Sequence, residues 1–264
     1  MTPSAPQFLT VGKAGDARDI AYLRQEGRQP GLMWLSGFKS DMRGSKAEAL
    51  AEWADTSGHA LTRMDYSGHG ASGGAFTDGT ISRWLEEAKA VFDSQAPGSR
   101  ILVGSSMGGW LALLLTLAHV AEVGLSASRI KGLVLIAPAA DFTEALMWQH
   151  RFDDTIRAEI MEKGRYERPS AYGDGPYVIT RALIEDGRNH LLLNRSHRLG
   201  CPISILQGRL DPDVPWQHAQ RLVERLPYDD VSFTLVPDGD HRLSRAQDIA
   251  LLQKSVEKIV EQNL

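Results

Sequence analysis

Three residues far apart in the chain, Ser106, Asp211 and His241, have the types and settings that invite nucleophilic chemistry. Ser106 lies in Gly104-Ser105-Ser106-Met107-Gly108, after the apolar run Arg100 to Gly104 and before a strongly apolar stretch. A serine hydroxyl attacks a carbonyl only when it is lifted clear of its sheet and has a base beside it. A strand, a sharp turn and a helix achieve the lifting by straining the backbone at the serine. The flanking Gly104 and Gly108 let the strand end and the first helical turn come together around it. Ser105 fails this test, because Val103 and Met107 hold its flanking positions. The base must be oriented by a carboxylate, and in a strand–elbow–helix architecture the chain order is Ser, acid, His. Asp211 follows the apolar run Pro202 to Gln207, at the sheet edge where α/β folds build their sites. Asp213 competes with it, but Pro212 and Pro215 bracket Asp213 in a turn leading to a helix, where an acid serves as a cap. His241 follows the last strand-like run, Val231 to Val236, on a short loop that can swing over Ser106. The other seven of the eight histidines sit in loops, helices or an inserted region, where a solvated or structural role fits better.

A tetrahedral oxyanion needs two amide donors, one from the residue after the nucleophile and one from the loop after the third strand. Here these are Met107 and, after Leu35-Ser36-Gly37, Phe38, with Lys39 as the neighbouring alternative. Gly70-Ala71-Ser72-Gly73-Gly74 repeats the G-x-S-x-G spelling, but it opens no apolar helix and reads as a loop. The same loop spells G-x-G-x-x-G through Gly68, Gly70 and Gly73. A dinucleotide site would need the third glycine to open a helix and an acid to end the next strand. Neither holds, so no cofactor is expected, and no metal.

The whole chain sets wider bounds. Its 264 residues, 42% hydrophobic, suffice for one large core. A net charge of −4 with no basic block argues against nucleic acid. Met1 to Pro6 lacks the charged start and apolar core of a secretory signal, and the apolar stretch around Trp110 to Leu117 is too short to span a bilayer. No stable membrane insertion is expected. Cys201 is the only cysteine, which agrees with a reducing, cytoplasmic setting. Oligomeric state is not legible.

Apolar strand patterns at Gly31 to Ser36, Ala60 to Tyr66, Arg100 to Gly104, Ile130 to Ala137, Pro202 to Gln207 and Val231 to Val236 alternate with helical ones at Ser45 to Thr56, Ile81 to Ser94, Met107 to Val120, Pro215 to Leu226 and Arg245 to Glu261. With an antiparallel edge from Phe8 to Val11 and Asp19 to Arg24, this predicts an α/β protein with an eight-stranded, mostly parallel sheet flanked by helices. Residues 141–198 break the rhythm. So long a structureless connection does not suit a compact domain, and the segment reads as a helical cap inserted after the sixth strand, with helices at Thr155 to Lys163 and Tyr177 to Asp186. Residues 1–140 and 199–264 form the core. Phe142, Leu146, Met147, Trp148 and Trp216 are candidates to line an apolar substrate pocket, the alternative being that they only join cap to core. Trp110, one helical turn past Ser106, is expected to pack.

The pieces L-S-G-F-K-S-D-M, R-M-D-Y-S-G-H-G-A-S-G-G, I-L-V-G-S-S-M-G-G-W, L-Q-G-R-L-D-P-D-V-P-W and D-G-D-H-R, in this order, resemble the α/β-hydrolase superfamily. Within it they look like the branch containing the mitochondrial palmitoyl-protein thioesterase also called mycophenolic acid acyl-glucuronide esterase. The resemblance runs from about Asp19 to the end. It implies that Ser106, Asp211 and His241 correspond to that family's triad, with the cap shielding an acyl pocket. The implied activity is hydrolysis of carboxylic esters or acyl thioesters, of a small molecule or an S-acylated protein; the alternative is a non-catalytic binding protein on the same fold. A thiol leaving group needs less protonation than an alkoxide, so the triad does not rank thioesters against oxoesters. The mitochondrial address is not carried over, because the chain shows no obvious targeting extension.

Overall fold

The computed structural model describes residues 5–168 and 177–263. Strands β1 (Gln7–Val11), β2 (Arg18–Gln25), β3 (Arg28–Leu35), β4 (His59–Met64), β5 (Arg100–Ser105) and β6 (Ile130–Ile136) come first in the chain. Strands β9 (Ile203–Gly208) and β10 (Val231–Val236) join them in one eight-stranded sheet of order β1-β2-β4-β3-β5-β6-β9-β10. β1 and β2 form the antiparallel edge, and every pairing from β4 to β10 is parallel.

Because successive side chains point to opposite faces of a strand, the central strands feed two separate cores. Met33, Leu35, Leu102 and Leu135 face one side, against α2 (Ile81–Gln95), α3 (Met107–Val123) and α6 (Trp216–Glu224). Leu32, Trp34, Ile101 and Val134 face the other, against α1 (Ser45–Ser57) and α7 (Ala246–Glu261). Both sides of these strands are therefore apolar, and the sequence reads as near-continuous hydrophobic runs. Each such side chain taken from water contributes about 1.5–3 kcal/mol before chain entropy is set against it. Helix α3 is buried on almost every side, from Met107 to Leu115, which explains its uniformly apolar sequence. Among the described residues no helix is long and apolar enough to cross a membrane.

The segment between β6 and β9 departs from the sequence expectation. It opens with a π-helix, Phe142–Arg151, that the residue spacing did not announce. Helix α4 (Asp154–Lys163) follows as expected, capped by Asp153 and stopped by Gly164 at φ 78°. The helix expected from Tyr177 begins only at Arg181. Tyr177–Thr180 is strand β8, paired antiparallel with β7 (Arg165–Arg168), and α5 runs from Arg181 to Gly187. The physical reason is local. Tyr-Val-Ile-Thr is a β-branched and aromatic run, and the Thr180 side chain accepts the Leu183 amide, which makes Thr180 the helix cap. The segment is thus a mixed insertion with its own two-stranded sheet, not a purely helical one.

Candidate active site

In the register of the sheet Leu35 lies beside Gly104, Ser105 beside Ile136, and Val236 beside Gly208, so the loops after these strands all emerge at one edge. Helix α1 leaves β3 toward one face and α3 leaves β5 toward the other. A crevice opens between such diverging loops, as at other strand-order reversals in α/β sheets.

Ser106 stands in that crevice at φ 55°, ψ −118°, a conformation L-residues rarely adopt. Two glycines make it possible by absence of bulk. A Cβ on Gly104 would lie 2.4 Å from the Gly108 carbonyl oxygen, and one on Gly108 would lie 2.0 Å from that of Leu35. The Ser106 hydroxyl is 3.1 Å from His241 Nε2, and His241 Nδ1 is 2.8 Å from Asp211 Oδ2. A carboxylate accepts only, so the imidazole proton sits on Nδ1 and Nε2 is left to accept from the serine. Asp211 is 6% exposed. Its Oδ1 accepts the amides of Asp213 and Val214, both at 2.8 Å, and its Oδ2 also accepts Gln207 Nε2 at 3.1 Å. Asp213 instead pairs with Arg151 at 3.3 Å and does not bond His241. Between the two acids, the one on the serine–histidine line is Asp211.

Asp211, Asp213 and His241 also bring potential ligand atoms within 4.8 Å of one another. Both oxygens of Asp211 are already engaged as described, Asp213 is paired with Arg151, and His241 Nδ1 carries the proton directed at Asp211. Asp211 thus orients the imidazole, and Asp213 holds Arg151.

Phe38 and Met107 line the same cavity as Ser106. Met107 is the first residue of α3, where a helical amide has no intrahelical acceptor and the helix dipole is positive. Among the described residues, no protein group accepts the Phe38 amide. The alternative donor, Lys39, has its amide occupied, 3.1 Å from His69 Nε2.

A cavity of ≈ 740 Å³ holds Ser106 and His241. Phe38, Met107, Phe142, Leu146 and Met147 line it, joined by Phe152 and Ile179, which sequence reading missed. Only their position on the π-helix end and on β8 brings these two inward, and neither element was legible. Trp148 and Trp216 do not line the cavity, which corrects the sequence expectation. Trp148 packs on the small Phe152/Ile160/Ile184 cluster, with the Arg157 and Arg188 guanidiniums 5.9 and 4.9 Å from its ring. Trp216 is the first residue of α6 and is half-buried outside the cavity lining. Trp110 is fully buried, edge-on to Phe142 at 5.6 Å, and donates to the His190 carbonyl. The other end of the cavity is polar, with Ser40, Lys46, Arg242 and Ser244. Lys46 donates to the Arg242 carbonyl and to Ser244 Oγ, and burial pulls its ammonium down to about 8.

Comparison with known proteins gives these features a lineage. Residues 29–250 match the model of the alpha/beta hydrolase family. Mouse mitochondrial palmitoyl-protein thioesterase ABHD10 is 35% identical over 245 residues, 92% of this chain and 79% of that protein. A solved structure from Agrobacterium vitis S4 superposes with a TM-score of 0.91 at 50% identity, covering 98% of this chain and 99% of the other. The structure of alpha/beta hydrolase domain-containing protein 10 from mouse gives 0.86 at 32% identity, covering 99% and 100%. With the match spanning most of its length and both cores, this chain belongs to the α/β-hydrolase family, alongside the ABHD10 branch.

Proposed function

We propose that this chain is a serine hydrolase that cleaves carboxylic esters or acyl thioesters through an acyl-enzyme on Ser106. The observation that carries the reading is the unbroken line from Ser106 Oγ to His241 Nε2, 3.1 Å, and from His241 Nδ1 to Asp211 Oδ2, 2.8 Å. His241 removes the serine proton as Oγ attacks the acyl carbon. The Phe38 and Met107 amides take the charge that forms on the carbonyl oxygen, and the imidazolium protonates the departing thiolate or alkoxide. Water, deprotonated by the same imidazole, then releases the acid. Asp211 holds the imidazole tautomer and stabilises its cation.

The apolar wall of Phe38, Phe142, Leu146 and Met147 supports an acyl group lodged on the side of the inserted segment, which then acts as a cap. The cavity volume falls within the ~300–1,000 Å³ usual for small-ligand sites. That relatives are named palmitoyl-protein thioesterases supports acyl thioesters, including S-acylated protein, as the first substrates to try. A cytoplasmic address belongs to the same reading, supported by a single buried cysteine, although the relatives are named mitochondrial; cell fractionation tests it.

The experiment is hydrolysis of matched thioesters and oxoesters across acyl chain lengths, with Ser106→Ala alongside. Serine-triad precedent gives a loss of ~10⁴-fold or more with the fold intact. Undiminished turnover by Ser106→Ala overturns the assignment.

A further inference from the structure

The glycine-rich loop after β4 spells a nucleotide motif without its context, and its histidine bonds the backbone of the loop that carries Phe38. His69 is 4% exposed, with its ring centroid 5.2 Å from Phe76, 5.3 Å from Trp84 and 5.8 Å from Tyr66. Its Nδ1 lies 3.0 Å from the Ser67 carbonyl and its Nε2 3.1 Å from the Lys39 amide. A carbonyl only accepts and an amide only donates, so the ring carries its proton on Nδ1 and offers a lone pair at Nε2. Burial, assisted by the Lys39 charge, lowers the imidazole's pKa and favours this neutral form.

The acceptor matters because of where Lys39 sits. Its φ of 58° is one few non-glycine residues adopt. The peptide between Phe38 and Lys39 is trans, so fixing its N–H toward His69 points its C=O the opposite way. On one side, Gly37 is so close to Ser106 that an added Cβ would meet the Ser106 Cβ at 3.3 Å. On the other, the Ser40 amide closes a turn onto the Gly37 carbonyl at 3.1 Å. With both ends held and the middle peptide pinned, the backbone is set with the Lys39 amide bound and the Phe38 amide without an acceptor among the described residues. Loss of the pin frees that peptide to rotate and to bring a carbonyl, which repels an oxyanion, toward the cavity.

We propose that His69 is a positioning residue for the oxyanion hole, accepting the Lys39 amide so that the Phe38 amide stays available beside Ser106. This rests on the serine-hydrolase reading. The test compares His69→Phe, which keeps a ring but has no acceptor, with His69→Gln, whose Oε1 extends about as far as Nε2. Losing one oxyanion donor costs ~10²–10³ in kcat; a donor left in place but unpinned is expected to cost ~10–100-fold in kcat, with KM within about twofold. His69→Gln should recover most of that loss, and labelling of Ser106 by a fluorophosphonate should slow in parallel with kcat. If His69→Phe does not fold, His69→Leu takes its place against His69→Gln. Wild-type kcat in a folded acceptor-less variant overturns the proposal, and so does an equal loss in His69→Gln. Ser106→Ala keeps the two readings apart. Activity retained there defeats the serine mechanism itself, whereas activity lost there and retained in His69→Phe defeats only the role of His69.

Discussion

The sheet edge bearing Ser106 and the segment between β6 and β9 are built by different means. At the edge, one buried carboxylate, Asp211, takes two backbone amides, a glutamine and the histidine, and each strand end is fixed by its neighbours in the sheet. The inserted segment has its own small cluster of Phe152, Ile160, Ile179 and Ile184, and its surface carries ion pairs such as Arg181–Glu185 and Lys163–Glu159. Exposed pairs of that kind contribute ~0–1 kcal/mol each. The difference teaches a division of labour. The strand ends are held by a saturated set of hydrogen bonds around one carboxylate, whereas the inserted segment is divided between Phe142 and Leu146, which join the main core, and a small apolar cluster of its own.

The sharpest way to break that comparison is at the edge. Asp211→Asn should lower kcat by ~10⁴-fold, because the amide favours the wrong imidazole tautomer while leaving the fold in place; steady-state kinetics with a circular dichroism spectrum read both, and a loss under tenfold would contradict the assigned role. In the inserted segment the expected effects are smaller and selective. Met147→Ala should lower kcat/KM for the longest acyl chains by ~10-fold, the scale of ~1–3 kcal/mol for contacts in an apolar pocket, and leave short chains nearly unchanged. Trp148→Ala, off the cavity, should leave the chain-length profile alone; an equal shift in both variants would erase the distinction between lining and packing.

The smallest effect concerns stability against pH. Burial lowers the pKa of His69 and brings that of His218, whose Nε2 faces the Ala140 carbonyl at 2.7 Å, down to about 4. In the unfolded chain both titrate near 6.5, so that state binds more protons just below that pH. Stability is full above about 6.5 and falls as pH drops toward 4. Asp65 and Asp141, whose carboxyls burial raises, oppose the loss near the ordinary carboxylate range. Thermal melts from pH 7.5 to 4.5 should show a fall in Tm of a few degrees, and a His218→Gln variant should show a shallower one.

What the chain revealed of itself follows from the same physics. The elbow, the acid and the histidine are legible because each combines a local constraint with a fixed place at a strand end. Gly104 and Gly108 are required by close approach, and Asp211 and His241 follow apolar runs that can only be strands. The choice between Phe38 and Lys39 is not legible, since it depends on which backbone amide a distant imidazole accepts. His69 reads as a loop residue, and the available signal is a histidine between two glycines, three residues past the aromatic Tyr66. Trp148 and Trp216 misled because hydrophobicity shows that a side chain will be buried and not against what. The π-helix escaped because its wider turn leaves no distinct residue period in so short a stretch.

Asp141 carries a further consequence. It sits at φ 55°, and its two carboxylate oxygens accept the amides of Leu192 and Leu193 at 2.8 and 2.9 Å. One side chain therefore ties the start of the segment between β6 and β9 to its end, while Phe142 in the main core, Asp186 on Ser82 and the His190 carbonyl on Trp110 tie the same segment to the rest of the fold. Closing such a loop costs only ~0.6 kcal/mol more for each doubling of its length. Asp141 is thus a clamp at the neck of the segment: a change of length between it and Leu192 carries a small closure cost as long as the seats of Asp186 on Ser82 and of His190 on Trp110 are kept.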